Sequence, residues 1–330
     1  MTISAVIPTW NRADLLRSVL MNLQSQTRSP DQIIVVDNGS RDESSVVARQ
    51  HGVDLIAFPD NRGFAVAVNE GILRARGNWI LILNNDVVLQ PDWLERLCAS
   101  AEAGGAAFAV GKLLRPDGSS QIDGSWDLVS RAAYAWRCGY GKPDGGVWST
   151  KRKIHFAPMT AALFRRDVFS RIGLLETRFE SYYEDVDFGV RCALAGLDGV
   201  YEPTAVATHM SKTTLGKSSY RVYFLTARNQ VLILAKYYSF ATLLRFAWPV
   251  LVGQFLALLA AGRQRNLMAA IRGKWAGIRL WSSFRKSALA VRRADIEQTF
   301  SESEREIHRL QQQVGFDPYW RLYFSLVRTG

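Results

Sequence analysis

The N-terminal part of the chain alternates between two patterns of apolar positions. Residues 4–8 and 32–36 are short β-branched apolar runs, which predict strands, and residues 13–26 between them carry apolar side chains at helical spacing. A strand, a helix and a strand in this order form the unit that a parallel sheet requires. The order recurs as a strand at 53–58, a helix at 64–75 and a strand at 79–83. The chain therefore begins with an α/β domain.

Weaker patterns follow in the middle of the chain. Residues 104–150 are rich in glycine and aromatic side chains and predict irregular structure with short strands. The other predicted elements are strands at 154–165 and 201–210, a helix at 167–172 and a helix that begins at the acidic cluster 184–187. The helix dipole favours carboxylates at a helix start, so this cluster also has a purely structural explanation.

The C-terminal part predicts helices. Residues 240–261 are the most apolar stretch, but its nearly uncharged portion, 248–261, is too short to span a bilayer. Residues 267–293 predict a basic amphipathic helix or helix pair, which is typical of a membrane interface. An ordinary surface helix packed on the rest of the chain is the alternative. Residues 296–313 predict a charged amphipathic helix, followed by a short aromatic tail.

The charge of the chain is distributed unevenly. The net charge is +11, yet fifteen Lys and Arg and no acidic residue lie between Glu202 and Asp295, whereas the rest has 26 basic and 30 acidic residues. Such a cationic surface attracts phosphate, whether in nucleic acid, in anionic lipid or in a diphosphate-bearing substrate. The three scattered cysteines exclude a disulfide framework or zinc site. The N-terminus has no secretory-signal pattern, so we expect a cytoplasmic protein.

Polar residues follow the predicted strands where open α/β sheets bind ligands, so we expect a nucleotide there. Asp37 is placed to accept a hydrogen bond from a ribose hydroxyl or a pyrimidine N–H. Asp86 is placed to hold a divalent cation, Mg²⁺ or Mn²⁺, and His209 is a candidate further ligand that would favour Mn²⁺. Each residue has a structural alternative, because strand-end aspartates often form Asx turns or helix caps and many histidines are structural.

Five motifs in one order carry a family resemblance. The motifs are VIPTWNR at 6–12, IVVDNGSRD at 34–42, NRGFA at 61–65, LNNDV at 83–87 and YEDVDF at 183–188. Together with His209 they resemble family 2 glycosyltransferases of the GT-A fold, over roughly residues 1–235. The fourth motif is similar to the family's Asp-x-Asp element with Asn84 in place of the first acid, which weakens the expected metal affinity. Ala67 and Val68 stand where relatives usually have Gly-Asn.

The resemblance implies a fold and a domain organisation. We expect a GT-A type, Rossmann-like, three-layer α/β/α domain at 1–215, with the nucleotide-sugar half at about 1–90 and the acceptor half at about 91–215. A mainly helical, basic and amphipathic extension would follow at 216–330, associated with a membrane or with the acceptor.

The resemblance also implies roles for individual residues. Asp185 would be the catalytic base. Its supporting residues would be Glu184, Asp187 and Arg191. The metal ligands would be Asp86 and His209. The nucleotide-sugar site would comprise Pro8, Thr9, Asn11, Asp37, Asn61, Gly63, Asn69, Asn85 and Asp86.

The function that follows from the resemblance is an inverting sugar transfer, since a single displacement needs one base and no covalent nucleophile. We expect L-rhamnose from dTDP-rhamnose to be moved to a hydroxyl of a lipid-linked or cell-surface polysaccharide, with a polyprenyl diphosphate as one acceptor carrier. The alternatives are galactosyl, galactofuranosyl or glucosyl transfer from a UDP-sugar, and, less favoured, a nucleotidylyltransferase or a nucleic-acid-binding protein. The expected location is the inner face of the cell membrane, bound peripherally to anionic lipid, with no nucleic-acid partner.

Overall fold

The computed structural model describes residues 1–210, 220–286 and 291–328. The chain forms two compact units. The first consists of Met1–Trp126 and Arg137–Thr213, and the second of Asp127–Trp136 and Thr214–Gly330. The inclusion of Asp127–Trp136 in the C-terminal unit differs from the sequence-based division at residue 215.

The first unit contains most of the strands. They are β1 (Ile3–Thr9), β2 (Gln32–Asp37), β3 (Asp54–Ala57), β4 (Trp79–Leu83), β5 (Val87–Leu89), β6 (Phe108–Leu114), β7 (Ile122–Gly124), β10 (Arg152–Ile154), β11 (Ala161–Arg165) and β12 (Gly199–His209). Two further strands, β8 (Asp127–Val129) and β9 (Ala135–Arg137), pair only with each other.

The helices of the first unit lie between these strands. They are α1 (Ala13–Gln24), α2 (Ser44–Gln50), α3 (Phe64–Arg74), α4 (Trp93–Ala103), α5 (Arg166–Ile172) and α6 (Glu184–Leu194). The second unit contains α7 (Tyr220–Tyr237), α8 (Phe240–Arg245), α9 (Ala247–Arg263), α10 (Leu267–Lys286), α11 (Arg293–Val314) and α12 (Pro318–Leu326).

The sheet of the first unit is mixed. Its strand order is β10-β12-β6-β11-β4-β1-β2-β3, with β5 added to β12 and β7 added to β6. Strands β4, β1, β2 and β3 run parallel, whereas β11 runs antiparallel to both β4 and β6. The four parallel strands are the ones that the alternating sequence pattern predicts. Strand β11 connects them to the other half of the sheet, which contains β6, β12 and β10.

Helices cover both faces of this sheet. On one face, Ile3, Ala5 and Ile7 of β1 share a core with apolar side chains of α1, α2 and α4. On the other face, the α-carbon of Gly71 in α3 lies so close to Val6 that an added Cβ would stand 2.2 Å from its Cγ1. Because successive side chains of a strand point to opposite faces, β1 alone anchors both layers. The first unit is thus a three-layer α/β/α domain.

The sequence pattern predicted most of the N-terminal elements to within a few residues, but it missed α2 and β5, and it failed further along. Helix α4 was not predicted. The seven-residue strand β6 lies inside the region expected to be irregular, and the single strand expected at 154–165 is wrong, because β10 ends at Ile154 and β11 starts at Ala161. The helix or helix pair expected at 267–293 corresponds to α10 as far as Lys286, and α11 starts at Arg293; residues 287–290 lie outside the described part of the chain.

A buried carboxylate explains why Asp127–Trp136 groups with the C-terminal helices. Glu304 of α11 accepts hydrogen bonds from the backbone N (2.9 Å) and Nε (2.8 Å) of Arg131 and from the hydroxyl of Tyr323 (2.7 Å). Next to it, Ser303 Oγ accepts from the backbone N of Val129 at 2.8 Å. A buried charge with such partners is costly to disrupt, so these contacts hold the segment against α11 and α12.

Two glycines allow α7 and α10 to approach closely within the second unit. A Cβ at Gly273 would lie 2.2 Å from the backbone oxygen of Phe224, and one at Gly277 would lie 2.7 Å from Cβ of Val231. Small residues four positions apart present a flat strip on which a neighbouring helix packs backbone to backbone. In the described part of the chain, no helix is both long enough and apolar enough to cross a membrane.

We predict that Gly273→Ala destabilises the second unit by about 1–3 kcal/mol, because the added methyl overpacks the contact between α7 and α10. Gly262→Ala in α9 is the matched control, since the nearest atom to its added Cβ is 4.0 Å away. The control should be neutral or stabilising by up to about 1 kcal/mol through helix propensity. Urea unfolding of the two variants measures both values. Equal stability of the two variants would contradict the close helix contact.

Candidate active site

The carboxyl ends of β1, β2 and β4 meet at one edge of the sheet. Thr9 at the end of β1 lies in register with Asp37 at the end of β2. Asn85, just after β4, donates a hydrogen bond from Nδ2 to Oγ1 of Thr9 at 2.8 Å. Pro8, the residue before Thr9, is part of β1 itself. The structure thus brings together Pro8, Thr9, Asp37 and Asn85, as the sequence predicted for a nucleotide site.

The loop after β1 is fixed to the loop after β2. The backbone N of Asn11 donates to Oγ of Ser40 at 2.8 Å. The side-chain Oδ1 of Asn11 accepts from the backbone N of Arg41 at 2.7 Å. Asn11 itself has a positive φ of 51°. The carboxylate of Asp37 accepts from the backbone N of Ser40 (2.9 Å) and from the hydroxyl of Ser45. Asp37 therefore forms an Asx turn with Ser40, which is the structural alternative given for this residue. Each of its two carboxylate oxygens can still accept a further hydrogen bond.

The loop at residues 61–63 connects the nucleotide edge to the start of α6. Asn61 Oδ1 accepts from the backbone N of Gly63 at 2.9 Å and from Nδ2 of Asn38 at 3.1 Å. Gly63 has φ of 88°, and a Cβ there would lie 3.1 Å from the backbone oxygen of Glu180. That same oxygen accepts from the backbone N of Phe64 at 3.1 Å. A side chain at position 63 would push these two loops apart.

Asn69 lies at a contact between α3 and the segment before α6. It is buried in α3, and its amide both donates to the backbone oxygen of Leu175 (2.9 Å) and accepts from the backbone N of Leu175 (3.0 Å). An amide engaged in this way holds α3 to the segment before α6. We therefore assign Asn69 a structural role and leave it out of the proposed donor site.

Asp86 and His209 face each other because of strand pairing. Val87 of β5 lies in register with His209 at the end of β12. The backbone N of Met210 donates to the backbone oxygen of Asp86 at 2.8 Å. The side chains follow this backbone contact, since His209 Nε2 lies 3.3 Å from Asp86 Oδ1. Both side chains are largely buried. The structure thus brings together the two residues that the sequence analysis named as candidate metal ligands.

Asp123 is the residue that the sequence analysis missed. It lies in β7, fully buried, with Oδ2 2.7 Å from His209 Nδ1 and 3.6 Å from Nη1 of Arg137. Strand β6 separates β7 from β12 and pairs with both, which carries Asp123 to the imidazole. The segment around Asp123 has no apolar periodicity, so only its QIDGSW motif, a lone acid among small and apolar residues, could have singled it out.

The two carboxylates control the charge of the imidazole. Burial opposes the charged form, but the hydrogen bonds to Asp123 and Asp86 outweigh burial and raise the pKa of His209 above its ordinary value. A carboxylate bonded to Nδ1 fixes the orientation of the imidazole ring and therefore the direction of Nε2. Ligating histidines in metal sites are commonly oriented by a carboxylate in this way.

A divalent cation fits this arrangement only with help from a substrate. Among the described residues no group of three or more His, Cys, Asp or Glu side chains is arranged to hold a metal ion. Asp86 and His209 offer one oxygen and one nitrogen ligand. Mg²⁺ and similar cations commonly bind through one or two carboxylates plus phosphate oxygens, so a diphosphate would complete the coordination shell.

Asp185 lies in the first turn of α6, directly after a strained turn. Glu180, Tyr182 and Tyr183 all have φ between 63° and 72°, a conformation that costs non-glycine residues about 1–2 kcal/mol each. The backbone N of Val186 donates to Oδ1 of Asp185 at 2.8 Å. Burial raises the pKa of Asp185, and the nearby Arg137 cation and the backbone donors lower it by less. A raised pKa suits a base that works near neutral pH.

The supporting residues fix α6 in place. Arg191 donates from Nε to Asp187 Oδ2 at 3.0 Å and from Nη1 to the backbone oxygen of Ile172 at 2.6 Å. Glu184, the first residue of α6, is buried. The ion pair between Asp187 and Arg191 is also buried, so these two side chains position the helix that carries Asp185.

Comparison with known sequences identifies related proteins. The family model "Glycosyl transferase family 2" matches residues 4–173. The chain is 28% identical over 238 residues to an N-acetylglucosaminyl-diphospho-decaprenol L-rhamnosyltransferase of Mycobacterium tuberculosis, covering 64% of this chain and 77% of the relative. It is 28% identical over 207 residues to the O-antigen biosynthesis protein RfbC of Myxococcus xanthus, covering 59% of this chain but 16% of the relative.

Comparison with solved structures identifies the fold. GalNAc-T7 with UDP, GalNAc and Mn²⁺ matches with a TM-score of 0.63 at 14% identity, covering 96% of this chain and 59% of that chain. The mannosyltransferase PcManGT from Pyrobaculum calidifontis, in complex with GDP-Man and Mn²⁺, matches with a TM-score of 0.53 at 17% identity, covering 92% and 86%. This chain therefore spans less than two thirds of the first of these structures, and at such identities the likeness shows the fold alone. The three-layer domain has the GT-A fold.

We predict that Asp123→Asn weakens the affinity for Mn²⁺ by about 10- to 100-fold in the presence of a nucleoside diphosphate, because His209 loses the carboxylate that orients it. Calorimetric titration of Mn²⁺ measures the change without relying on turnover. The matched control is Asp117→Asn, an exposed carboxylate bonded to Ser119. Unchanged Mn²⁺ affinity in Asp123→Asn would remove Asp123 from the site.

Proposed function

The chain belongs to glycosyl transferase family 2, and on this basis we propose that it transfers L-rhamnose from dTDP-rhamnose to a hydroxyl of a lipid-linked or cell-surface polysaccharide, with inversion at the sugar. The observation that carries the proposal is the arrangement of Asp86, His209 and Asp185. Asp86 follows Asn85, which is bonded to Thr9 at the nucleotide edge of the sheet, and it faces His209 at the end of β12. Asp185, a carboxyl of raised pKa, lies in the first turn of α6, just after the turn whose Glu180 backbone oxygen accepts from the start of α3. The rhamnosyl specificity is supported by the M. tuberculosis relative.

In the proposed mechanism, the nucleoside lies against the loops after β1 and β2. Thr9, Asn11 and the remaining acceptor capacity of Asp37 contact it, and Asn61 and Gly63 shape the adjacent wall. Asp86 and His209 would hold a divalent cation, Mg²⁺ or Mn²⁺, and such a cation would supply positive charge opposite the leaving diphosphate. These residues therefore bind and orient the donor so that its anomeric carbon is open on one side.

Asp185 acts on that open side. Its carboxylate accepts the proton of the acceptor hydroxyl while the hydroxyl oxygen forms a bond to the anomeric carbon. The bond between this carbon and the diphosphate oxygen breaks, and the nucleoside diphosphate leaves with the electron pair. Since the attack and departure occur on opposite faces in one step, the anomeric configuration inverts.

Other donors and other functions remain alternatives to be tested. UDP-galactose, UDP-galactofuranose and UDP-glucose would use the same cation pair and base. A nucleotidylyltransferase would need a glycine-rich loop with Arg or Lys after the first strand, whereas the run Pro8-Thr9-Trp10-Asn11 at the end of β1 has no glycine, Arg or Lys. A nucleic-acid-binding protein would use the cationic second unit, but the apolar side chains exposed there favour a different partner, described below.

A donor screen tests the proposed specificity. We expect dTDP-rhamnose to release nucleoside diphosphate faster than UDP-galactose or UDP-glucose when a polyprenyl-diphosphate-linked acceptor is present. Chelation with EDTA should abolish the release, and Mn²⁺ or Mg²⁺ should restore it. A preference for a UDP-sugar would replace the rhamnosyl assignment, and full activity in EDTA would remove the cation from the mechanism.

We predict that Asp185→Asn lowers kcat by about 10²- to 10⁴-fold with little change in donor affinity, because the amide keeps the shape but cannot accept a proton. In the unchanged protein, kcat should fall as the pH decreases through the pKa of Asp185, which burial raises above the ordinary value of an aspartate. Steady-state kinetics against pH measure both effects. Asp198→Asn, on a partly exposed carboxylate paired with Lys153, is the control. Near-normal transfer by Asp185→Asn would move the role of base to another residue.

We also propose that the second unit docks on an anionic membrane. Helix α9 exposes Trp248, Leu251, Phe255 and Leu259 at helical spacing, with between 49% and 64% of each residue exposed. Trp275 and Ile278 of α10 and Phe240 and Leu244 of α8 are exposed as well. Apolar side chains on helices that also carry exposed arginines are the composition of an interfacial helix.

The cations supply the electrostatic part of this docking. Arg263, Arg265, Arg272 and Arg279 are exposed on or beside α9 and α10, and no acidic residue lies between Glu202 and Asp295. A cation near an anionic bilayer contributes about 1 kcal/mol, so a third of the fifteen would contribute about 5 kcal/mol. Two of the fifteen, Lys212 and Lys217, lie outside the described residues.

We predict that the protein floats with vesicles of anionic phospholipid, and that about 0.5 M salt weakens this binding without abolishing it, because screening removes only the electrostatic part. Phe255→Glu should reduce the residual binding at high salt. Leu73→Glu is the control, because Leu73 is equally exposed (64%) but lies on α3 of the first unit. A protein that ignores anionic vesicles at low salt would contradict the docking.

A further inference from the structure

The second unit contains a cavity that the sugar-transfer reaction does not use. Its volume is about 680 Å³, within the range typical of small-molecule sites. Side chains from α7, α9, α10 and α12 line it, together with Tyr134. Its walls are mainly apolar and aromatic, and the residues that matter for the argument are Tyr134, Leu256, Leu259, Lys274, Tyr319 and Leu322.

The aromatic wall of the cavity is held rigidly. Tyr134 stacks on Tyr319 with ring centroids 3.9 Å apart. The hydroxyl of Tyr319 donates to the backbone oxygen of Gly253 at 3.1 Å. A Cβ at Gly253 would stand 3.0 Å from that hydroxyl and 2.3 Å from Cβ of Ala132, so the glycine is needed for this close packing. The cavity is therefore a formed feature of the unit and does not depend on a mobile side chain.

One cation projects into this apolar space. Lys274 is partly buried, and its Nζ donates to Oε1 of Gln230 at 3.3 Å and to Oε1 of Gln254. Gln254 is held in that orientation because its Nε2 donates to the backbone oxygen of Ala132 at 2.6 Å. Both partners are neutral amides, and burial lowers the pKa of Lys274 to about 8. The ammonium is thus solvated by amides in a place where an anion would stabilise it more.

The charge around Lys274 favours an anionic ligand. Helices α7, α9 and α10 contribute no acidic side chain, because the sequence has none between Glu202 and Asp295. Arg263, at the end of α9, also lines the cavity. A lysine ammonium is a common point-charge partner for phosphate.

The mouth of the cavity is continuous with the exposed apolar surface. Leu259 and Leu322 line the cavity and are also exposed, by 49% and 48%. Leu259 belongs to the same face of α9 as Trp248, Leu251 and Phe255. A hydrocarbon chain can therefore pass from the exposed apolar face of α9 into the cavity without crossing a polar rim.

We propose that this cavity binds the hydrocarbon chain of a phosphate-bearing lipid, with the phosphate paired to Lys274. The chain lies along Leu256, Leu259 and Leu322 and against the ring of Tyr319. The same chemistry is offered by a prenyl phosphate and by an acyl phospholipid, and the ligands in the experiment separate these two sources. The proposal does not depend on the identity of the transferred sugar.

Calorimetry with single-chain ligands below their micellar concentration tests the site on the full-length protein. The ligands are farnesyl diphosphate, oleoyl lysophosphatidate, farnesol and inorganic phosphate. We expect one or both of the phosphate-bearing lipids to bind, and farnesol and inorganic phosphate each to bind at least about 10-fold more weakly, because each lacks half of the recognition. Tighter binding of farnesyl diphosphate identifies the prenyl source, and tighter binding of lysophosphatidate identifies the acyl source.

Two variants locate the binding. Lys274→Gln should lower the affinity for the phosphate-bearing lipid by about 10- to 100-fold and leave the affinity for farnesol unchanged. Ala257→Phe, which fills a partly open position of the lining, should weaken all chain-bearing ligands. Arg305→Gln, on an exposed cation of α11, a helix that contributes no residue to the lining, is the matched control and should leave every affinity unchanged. Absence of lipid binding, or binding that neither Lys274→Gln nor Ala257→Phe weakens, would overturn the proposal.

Discussion

The candidate active site depends on the pairing of one strand, β12. The last residues of β12 pair with β5, which places His209 beside Asp86. Strand β12 also pairs with β6, and β6 pairs with β7, the strand that contains Asp123. The imidazole thus receives one carboxylate on each nitrogen from two different parts of the chain. Loss of the pairing between β5 and β12 would separate Asp86 from His209, the two proposed cation ligands, so the backbone ladder at this edge of the sheet is as important for the site as the side chains themselves.

A second constraint connects donor binding to the base. The backbone oxygen of Glu180 accepts from the N-terminus of α3, against a glycine at position 63 that leaves room for the contact. The strained turn that follows Glu180 then directs the first turn of α6, with Asp185, toward the same edge of the sheet. Strain of this kind persists only where the surrounding structure determines it, and it is common at functional sites. The buried ion pair of Asp187 and Arg191 supplies part of that support.

The sequence predicted the parts of the site that lie in regular structure. Strands β1, β2 and β4 are apolar β-branched runs, and the polar residues that follow them were identified because parallel strands end at one edge. Asp123 was missed because a three-residue strand has no detectable periodicity, and its importance comes from a neighbour two strands away. The bonding of the Asn69 amide to Leu175 was not predicted either, because nothing in the local sequence indicates it. The grouping of Asp127–Trp136 with the C-terminal helices likewise rests on distant partners, above all Glu304.

The central claim is that Asp86 and His209 together bind the cation that holds the donor diphosphate. A crystal structure with dTDP and Mn²⁺, with anomalous diffraction recorded at the manganese edge, tests this claim most directly. The account predicts one manganese peak bonded to an Asp86 oxygen, His209 Nε2 and diphosphate oxygens at about 2.1 Å, with Asp123 still on Nδ1. A diphosphate held by Arg and Lys side chains alone, or a manganese ion that does not contact Asp86 and His209, would contradict it.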